Sequence, residues 1–344
     1  MKEKVLPTLI ALAVAAVIGD ILILSFGQSP GAVYRLLLDG TWGNSYGFGQ
    51  VLYKATTLAF TGLAVTLGLR AGLFNIGAEG QLAFGGFAAA MVGMWLPSAM
   101  PALLAVPLCI AAAALGGAIV GAVPGALKAR FGASEVIVTI MLNFIVLAFL
   151  NWIVATKLHV GELLHTPEIR AGAVPRLASV IPAFHGSAAN FIILLAIAAA
   201  LVAWWYLFRT REGYELRAVG LQPPAAEYGG VKLGKIWFRA LVFAGAFAGL
   251  GGTNYVLGYK QYYEEGFAAG AGFLGIAVAM VGRNHPLGVL LAALLFATLS
   301  QGGLAVNAIV PKQMVEVLTA VVIIAVAAAA PEVQRVLRTV RRPS

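Results

Sequence analysis

The chain carries little charge and almost no cysteine. Asp, Glu, Lys and Arg make up 11% of its 344 residues, where a soluble domain carries roughly 25%. So few charges do not cover a water-exposed globular surface, which excludes an ordinary soluble enzyme or binding domain. Cys109 is the only cysteine and lies in an apolar run, so there is no intrachain disulfide and no thiolate metal cluster. The four histidines, His159, His165, His185 and His285, fall in loops without metal-ligand spacing. Neither G-x-S-x-G nor H-E-x-x-H occurs. No catalytic residue, metal site or cofactor is expected. Gly229-x4-Gly234-Lys235 imitates a phosphate-binding loop, but Ile236 follows where Ser or Thr is needed and no strand precedes it.

What the chain has instead is apolar length. Hydrophobic residues account for 60% of it and the mean hydropathy is +0.90. Several runs exceed the ~20 residues that cross a bilayer as a helix, and many are too long for barrel strands. The expected fold is an all-α polytopic membrane protein, one transmembrane domain over 1–344, with ten apolar segments. These run at about 5–26, 51–69, 79–97, 103–125, 135–156, 189–208, 237–257, 271–282, 286–304 and 313–330. The eighth is too short to span and reads as a half-helix or re-entrant segment. The first follows Lys2 and Lys4 as a signal peptide would, but continues to Phe26 without a clear small-x-small cleavage site, so a retained anchor is expected.

Placing the N-terminus inside puts sixteen of the 23 Lys and Arg residues on the cytoplasmic side, as the positive-inside rule favours. The rule explains the net charge of +9 without a nucleic-acid partner. In this orientation 157–188 is an extracytoplasmic loop and 209–236 a cytoplasmic one. The tail 331–344, with Arg335, Arg338, Arg341 and Arg342, is a cytoplasmic anchor to anionic membrane lipid. Residues 81–93 (QLAFGGFAAAMVG) align without gaps to 270–282 (GAGFLGIAVAMVG), identical at seven of thirteen positions. The copies run in opposite directions across the membrane, the pattern of an inverted repeat.

The most informative stretch is 72–93, GLFNIGAEGQLAFGGFAAAMVG. Polar groups in the bilayer are expensive and face a bundle interior or a polar path. Asn75, Glu79 and Gln81 among Gly72, Gly77 and Gly80 point to a helix broken at membrane depth. Two readings are open for each. Glu79 lines a path, or it is a carboxylate at a helix start, favoured by the helix dipole. Asn75 and Gln81 contact polar groups of a substrate, or hydrogen-bond the break itself. Asn143 and Asn151 share a helical face with Met141 and Phe144 nearby, lining a passage or bonding between helices. Phe74, Phe84 and Phe144 stack on a flat ring of a substrate or simply pack. Gly117, Gly121 and Gly125, like Gly245 and Gly249, form small-xxx-small ridges for close helix packing.

The inner loop reads RTREGYELRAVGLQPPAAEYGGVKLGK. Pro223 and Pro224 suit a helix start, Ala225, Ala226, Glu227 and Tyr228 continue it, and Gly229 with Gly230 stops it. The result is a short surface helix, either a docking element for a soluble partner or an ordinary connector.

This loop resembles the coupling-helix region of ABC importer permeases, with Gly220, Pro223, Ala225, Ala226, Tyr228 and Gly230 fitting the pattern and Gln222 standing where Asn is usual. With GLFNIGAEGQ at 72–81, the chain resembles the permease family of branched-chain amino-acid, ribose and nucleoside importers, most closely its nucleoside and simple-sugar members. The resemblance covers about residues 5–330. It implies a transport subunit in a bacterial inner membrane, without chemistry of its own. ABC ATP-binding subunits would drive alternating access through Gly220, Pro223, Ala225, Ala226, Glu227, Tyr228, Gly229 and Gly230. A second permease, often a paralogue, and an extracytoplasmic substrate-binding lipoprotein would complete the assembly. Asn75, Glu79, Gln81, Phe84, Asn143 and Phe144 are then the candidate substrate-path residues. The alternative is an ion-coupled secondary transporter of a small polar solute, for which Glu79 is nearly the only carboxylate deep in the membrane.

Overall fold

The computed structural model describes residues 2–307, 309–311, 313, 316, 317, 319–321 and 323–325, with side chains from Ala13 onward. The basic tail 331–344 and part of the tenth expected segment lie outside the described residues. Among these the architecture is helical, with only isolated β-bridges such as His165–Glu264. The elements run α1 Lys2–Ser25, α2 Pro30–Asp39, α3 Ser45–Arg70, α4 Ala78–Trp95, α5 Ala102–Phe131, α6 Glu135–Ile153, α7 Ile192–Arg209, α8 Arg211–Leu221, α9 Pro223–Tyr228, α10 Leu233–Tyr255, α11 Ala271–Val281 and α12 Pro286–Val306. One π-helical turn extends α6 through Val154–Leu158 and another extends α10 through Val256–Lys260.

Six of these helices are long and apolar enough to cross a membrane, or seven spans if one bent pair counts as a span. The ten segments expected from sequence are not reached by that measure, for local reasons. The chain turns by 110° between Ala13–Ser25 and Pro30–Asp39, with Pro30 at the first turn of α2, where a missing N–H costs nothing. α11 has 11 residues and stays short, as its sequence implied. α4 is diluted by Glu79, Gln81 and four glycines, yet twelve of its eighteen residues are buried. A helix enclosed by other helices needs no lipid-facing apolar surface, so α4 can be both polar and central.

Two compact units are present. The smaller takes in the described residues within 1–51 and 294–325. Its core is Ile23, Val33, Val306 and Val310, packed with Leu22, Tyr34, Leu36 and Leu37. Trp42 Nε1 donates to Thr298 Oγ1 at 3.1 Å, and Gly40 lies against Ala305.

The larger unit, residues 52–293, holds the candidate site. α3 and α10 are 78% and 72% buried across their apolar windows, whereas α6 is only 22% buried, so α3, α4 and α10 form the inside and α6 the periphery. α4, α5 and α10 meet backbone to backbone. A Cβ on Gly117 would lie 2.1 Å from Gly245 O, and one on Gly252 would lie 2.5 Å from Gly86 Cα. The small-residue ridges read from the sequence are therefore the contact itself, as in close membrane-helix packing. Beside them Ala240, Leu241, Ala244 and Ala248 of α10 join Leu67 and Leu73, with Leu216 and Val219 of α8, in one buried cluster.

A candidate translocation site at a broken helix

α3 ends where Gly72 takes φ +73. Leu73 N donates back to Gly68 O at 2.9 Å, the six-to-one bond of a glycine-capped helix end. The chain then crosses five non-helical residues before α4 begins at Ala78. Buried backbone outside a helix needs partners, and here side chains supply them. Asn75 Nδ2 donates to Gln81 Oε1 at 2.9 Å, and Gln81 Nε2 donates back to Asn75 Oδ1 at 3.3 Å. Gly77 N adds a bond to the same Asn75 oxygen at 3.0 Å. Both amides are fully buried.

α6 holds the break from the side. Asn143 Oδ1 accepts Gly80 N and Asn143 Nδ2 donates to Ile76 O, both at 2.9 Å. Thr139 Oγ1 accepts Ile76 N at 3.3 Å, and Glu135 Oε1 accepts Phe74 N at 3.5 Å. Glu135 is itself paired with Lys128 at 2.9 Å. Residues 135, 139 and 143 are spaced by four, so one face of α6 presents all three. Replacing Asn143 with leucine should leave Gly80 N and Ile76 O unpaired, at about 1–3 kcal/mol each. Thermal unfolding in detergent should show a clear drop for this variant and almost none for Asn151→Ala, whose bond to Glu265 is exposed. Equal midpoints would sink the clamp.

Glu79 works in the other direction. Its two carboxylate oxygens accept Gly270 N at 2.8 Å and Gly272 N at 2.7 Å. It therefore caps the start of α11, where the helix dipole favours an anion. α11 presses hard on α4 at this point, since a Cβ on Gly272 would lie 2.2 Å from Glu79 N. The two copies of the internal echo lie in α4 and α11, and this carboxylate ties their starts together.

Glu79 also borders a cavity of about 190 Å³, walled by Ala83, Leu147, Tyr263, Phe267 and Ala269. That is below the roughly 300–1,000 Å³ typical of drug-sized ligands and suits a small solute. Phe87 and Phe267 meet Tyr263 edge to face, at 5.4 and 5.3 Å. The long loop before α7 fixes this wall. Thr166 N donates to Tyr263 O at 2.8 Å, Tyr263 N donates to Thr166 Oγ1 at 3.0 Å, and Ile169 N donates to Gln261 O at 2.8 Å. Burial pushes the Tyr263 hydroxyl pKa upward, so the phenol stays neutral.

Of the six path residues expected from sequence, Glu79 alone borders this cavity. Asn75, Gln81 and Asn143 bond the break instead. Phe84 packs against Gly116 of α5. Phe144 is 65% exposed, about 100° around α6 from Asn143, and it does not line the cavity. Thr139, Glu135, Tyr263 and Phe267 were not singled out in the sequence. Only the four-residue spacing to Asn143 could have flagged the first two.

The inner loop forms α8 and the short α9. Pro223 starts α9, Gly229 ends it and Gly230 turns away at φ +86. Ala226 is buried, Ala225 and Glu227 are exposed, and Tyr228 is 98% exposed. A helix, not a strand, precedes Gly229, so the phosphate-loop imitation has no phosphate-loop setting. Near the C-terminal end of α8, Gly220 touches the end of α3. Its missing Cβ would lie 2.1 Å from Arg70 O and 2.9 Å from Gly72 N. The surface loop and the break are thus in backbone contact.

A buried broken helix, a capped half-helix and an aromatic-walled cavity within a bundle of long apolar helices define the core of a membrane transporter. Residues 47–327 match the family described as branched-chain amino acid transport system / permease component, and the chain belongs to that family. It is 36% identical over 333 residues to the guanosine ABC transporter permease protein NupP of Bacillus subtilis, covering 94% of this chain and 93% of the relative. It is 35% identical to the nucleoside ABC transporter permease protein NupB of Lactococcus lactis, covering 94% and 91%. It is 32% identical to the glucose ABC transporter permease protein TsgB13 of Haloferax volcanii, covering 92% and 85%.

Proposed function

We propose that this chain is the permease subunit of an ATP-driven importer that carries a nucleoside or simple sugar inward by alternating access. The observation that carries the reading is the contact of Gly220 with the 70–72 turn. Through it, a movement of α8 and α9 acts on the break whose far end bears Glu79. ATP-binding subunits dock on Glu227 and Tyr228 of α9. A second permease and an extracytoplasmic substrate-binding lipoprotein complete the assembly in a bacterial inner membrane, with 157–188 outside and both termini inside. The chain holds no ATP of its own. Such a switch requires the ATPase to bind the two access states with different affinity.

The lining of the cavity, rather than its volume, favours this cargo. Phe267, backed by Tyr263, gives the cavity an apolar wall for a base or for the apolar face of a sugar. The Glu79 carboxylate keeps acceptor capacity for a hydroxyl after accepting its backbone bonds. A proton-coupled carrier is less well served, because both oxygens of its one central carboxylate are held by backbone N–H groups.

Glu227→Arg is expected to abolish uptake of labelled nucleosides and glucose in cells that supply all the subunits, at normal permease expression. Co-purification in mild detergent should show the ATP-binding protein lost from the variant and retained by the wild type. Full uptake by Glu227→Arg would remove the docking role. Wild-type uptake that collapses with the proton gradient while ATP is held constant would move the reading to a secondary transporter.

A further inference from the structure

Where α3 ends, two arginines share one aromatic ring. The Arg70 guanidinium carbon lies 5.5 Å from the centroid of Phe208 and that of Arg217 lies 5.1 Å from it. The His285 ring stacks on the same phenyl at 5.4 Å. Arg70 Nε donates to Asn284 O at 2.7 Å. Arg217 Nε is buried and has no acceptor. Elsewhere among the described residues Arg35, Lys128, Arg211, Arg239 and Lys260 each pair with a carboxylate, but neither Arg70 nor Arg217 does. Drawing a cation out of water is costly without a counter-charge. Two together, repelling each other, ask for an anion.

The backbone keeps this cluster in place. Arg283 and Asn284 both hold left-handed φ angles, +57 and +50, which aim the Asn284 carbonyl at Arg70. Burial, with the charge of Arg70 second, lowers the pKa of His285, so the imidazole adds no third charge. Four elements converge: the ends of α3 and α7, the middle of α8, and the turn between α11 and α12.

The surroundings indicate which anion fits. Leu201 and Trp205 are exposed on α7, about two turns and one turn before Phe208, and Leu287 and Leu291 are exposed on the first turns of α12. Both apolar pairs run from the basic cluster along membrane-spanning helices. A phosphate at the arginines would leave acyl chains lying along these two strips. The cluster sits on the side that the excess of Lys and Arg assigns to the cytoplasm, where the leaflet carries anionic lipid.

We propose that Arg70 and Arg217 form a binding site for the phosphate of one anionic phospholipid, with its chains against α7 and α12. The lipid bridges α8, which leads to α9, to the end of α3 beside the break. This rests on the chain being a membrane permease but not on its cargo or its ATPase docking site.

The test is native mass spectrometry of the complex purified with its partner subunits, delipidated and titrated with phosphatidylglycerol or phosphatidylcholine. Phosphatidylglycerol should be preferred by about tenfold or more, the size of one charge-assisted hydrogen bond. Arg217→Gln should bring the two lipids near parity, Arg217→Lys should keep part of the preference, and Arg211→Gln should keep all of it. A phosphatidylglycerol with a photoreactive acyl chain should label the wild type within 201–208 or 287–291, which keeps the proposal testable should Arg217→Gln fail to accumulate. No preference, a preference unchanged in Arg217→Gln, or labelling confined to other segments would overturn it. Displacement by millimolar inorganic phosphate would make this a free-anion site. A preference found only without the ATP-binding subunit would give the cluster to a carboxylate of that partner. Either result also defeats the lipid site, whereas failed uptake by Glu227→Arg bears on docking alone.

Discussion

Glu79→Ala is expected to reduce uptake by two orders of magnitude or more while the permease still reaches the membrane. The wild-type carboxylate accepts two backbone N–H groups at the start of α11. A hydrogen bond to a charged group contributes roughly 1.5–3 kcal/mol, so losing both frees the half-helix from α4. The chain would keep its large helix interfaces, because those rest on Gly85, Gly117, Gly245 and Gly249 of α4, α5 and α10, none of which bonds to Glu79. What it would lose is the fixed position of 270–272, and with it the cavity wall at Phe267 and Ala269. Glu79→Gln separates the roles further. One amide oxygen can still accept an N–H, but the amide nitrogen faces the other N–H as donor to donor, so about a tenfold loss is expected from one missing bond. The measurement is initial uptake rate per inserted permease, with insertion quantified on the same membranes. Wild-type rates for Glu79→Gln would show that the cap is dispensable. A loss for Glu79→Ala that tracks missing protein would assign Glu79 to folding alone.

The cap also marks how far the residues could be read in order. The broken helix, the short α11 and the Pro-bounded α9 are legible because each is set by local chemistry: a glycine cap, an apolar run too short to span, a proline start with a glycine stop. Glu79 at a helix start is legible too, though the helix it caps most strongly lies about 190 residues on, at Gly270 and Gly272. The clamp from α6 is not legible. Thr139 and Asn143 meet Ile76 and Gly80 across more than sixty residues, and nothing local in EVIVTIMLNF announces which helix stands beside the break. The aromatic wall is hidden for the same reason. Tyr263 and Phe267 lie in a non-helical stretch whose place is set by Thr166 and Ile169 of a distant loop. Asn75 and Gln81 were legible only as two alternatives, and their bonds to each other and to Gly77 N fit the second, bonding within the break. The first need of a broken helix is to satisfy its own backbone.

The second large effect concerns the packing of α4, α5 and α10, and Gly249→Leu is expected to leave no folded permease in the membrane. A Cβ at this position would lie 2.3 Å from Ala113 O and 2.9 Å from Gly117 Cα, and a Cβ on Gly85 would lie 2.3 Å from Gly249 Cα. The obstacles are backbone atoms of two other helices, which cannot rotate away as a side chain would. Overpacking a core costs typically about 1–3 kcal/mol when neighbouring side chains can shift. Here three helices would have to separate, giving up the close contact that drives helix association where lipid offers no hydrophobic gain. Gly249→Ala should already lower the unfolding temperature and the monodisperse yield on size-exclusion chromatography. Gly31→Ala is the matched control, because its Cβ would meet only Ser29 Oγ at 3.8 Å, and replacing glycine in a helix with alanine favours the helix by roughly 0.5–1 kcal/mol. If Gly249→Leu eluted and transported like Gly31→Ala, the three-helix contact would not be what holds the larger unit together. Loss in Gly249→Leu but not in Gly31→Ala would place the stability of the larger unit in these backbone contacts between helices.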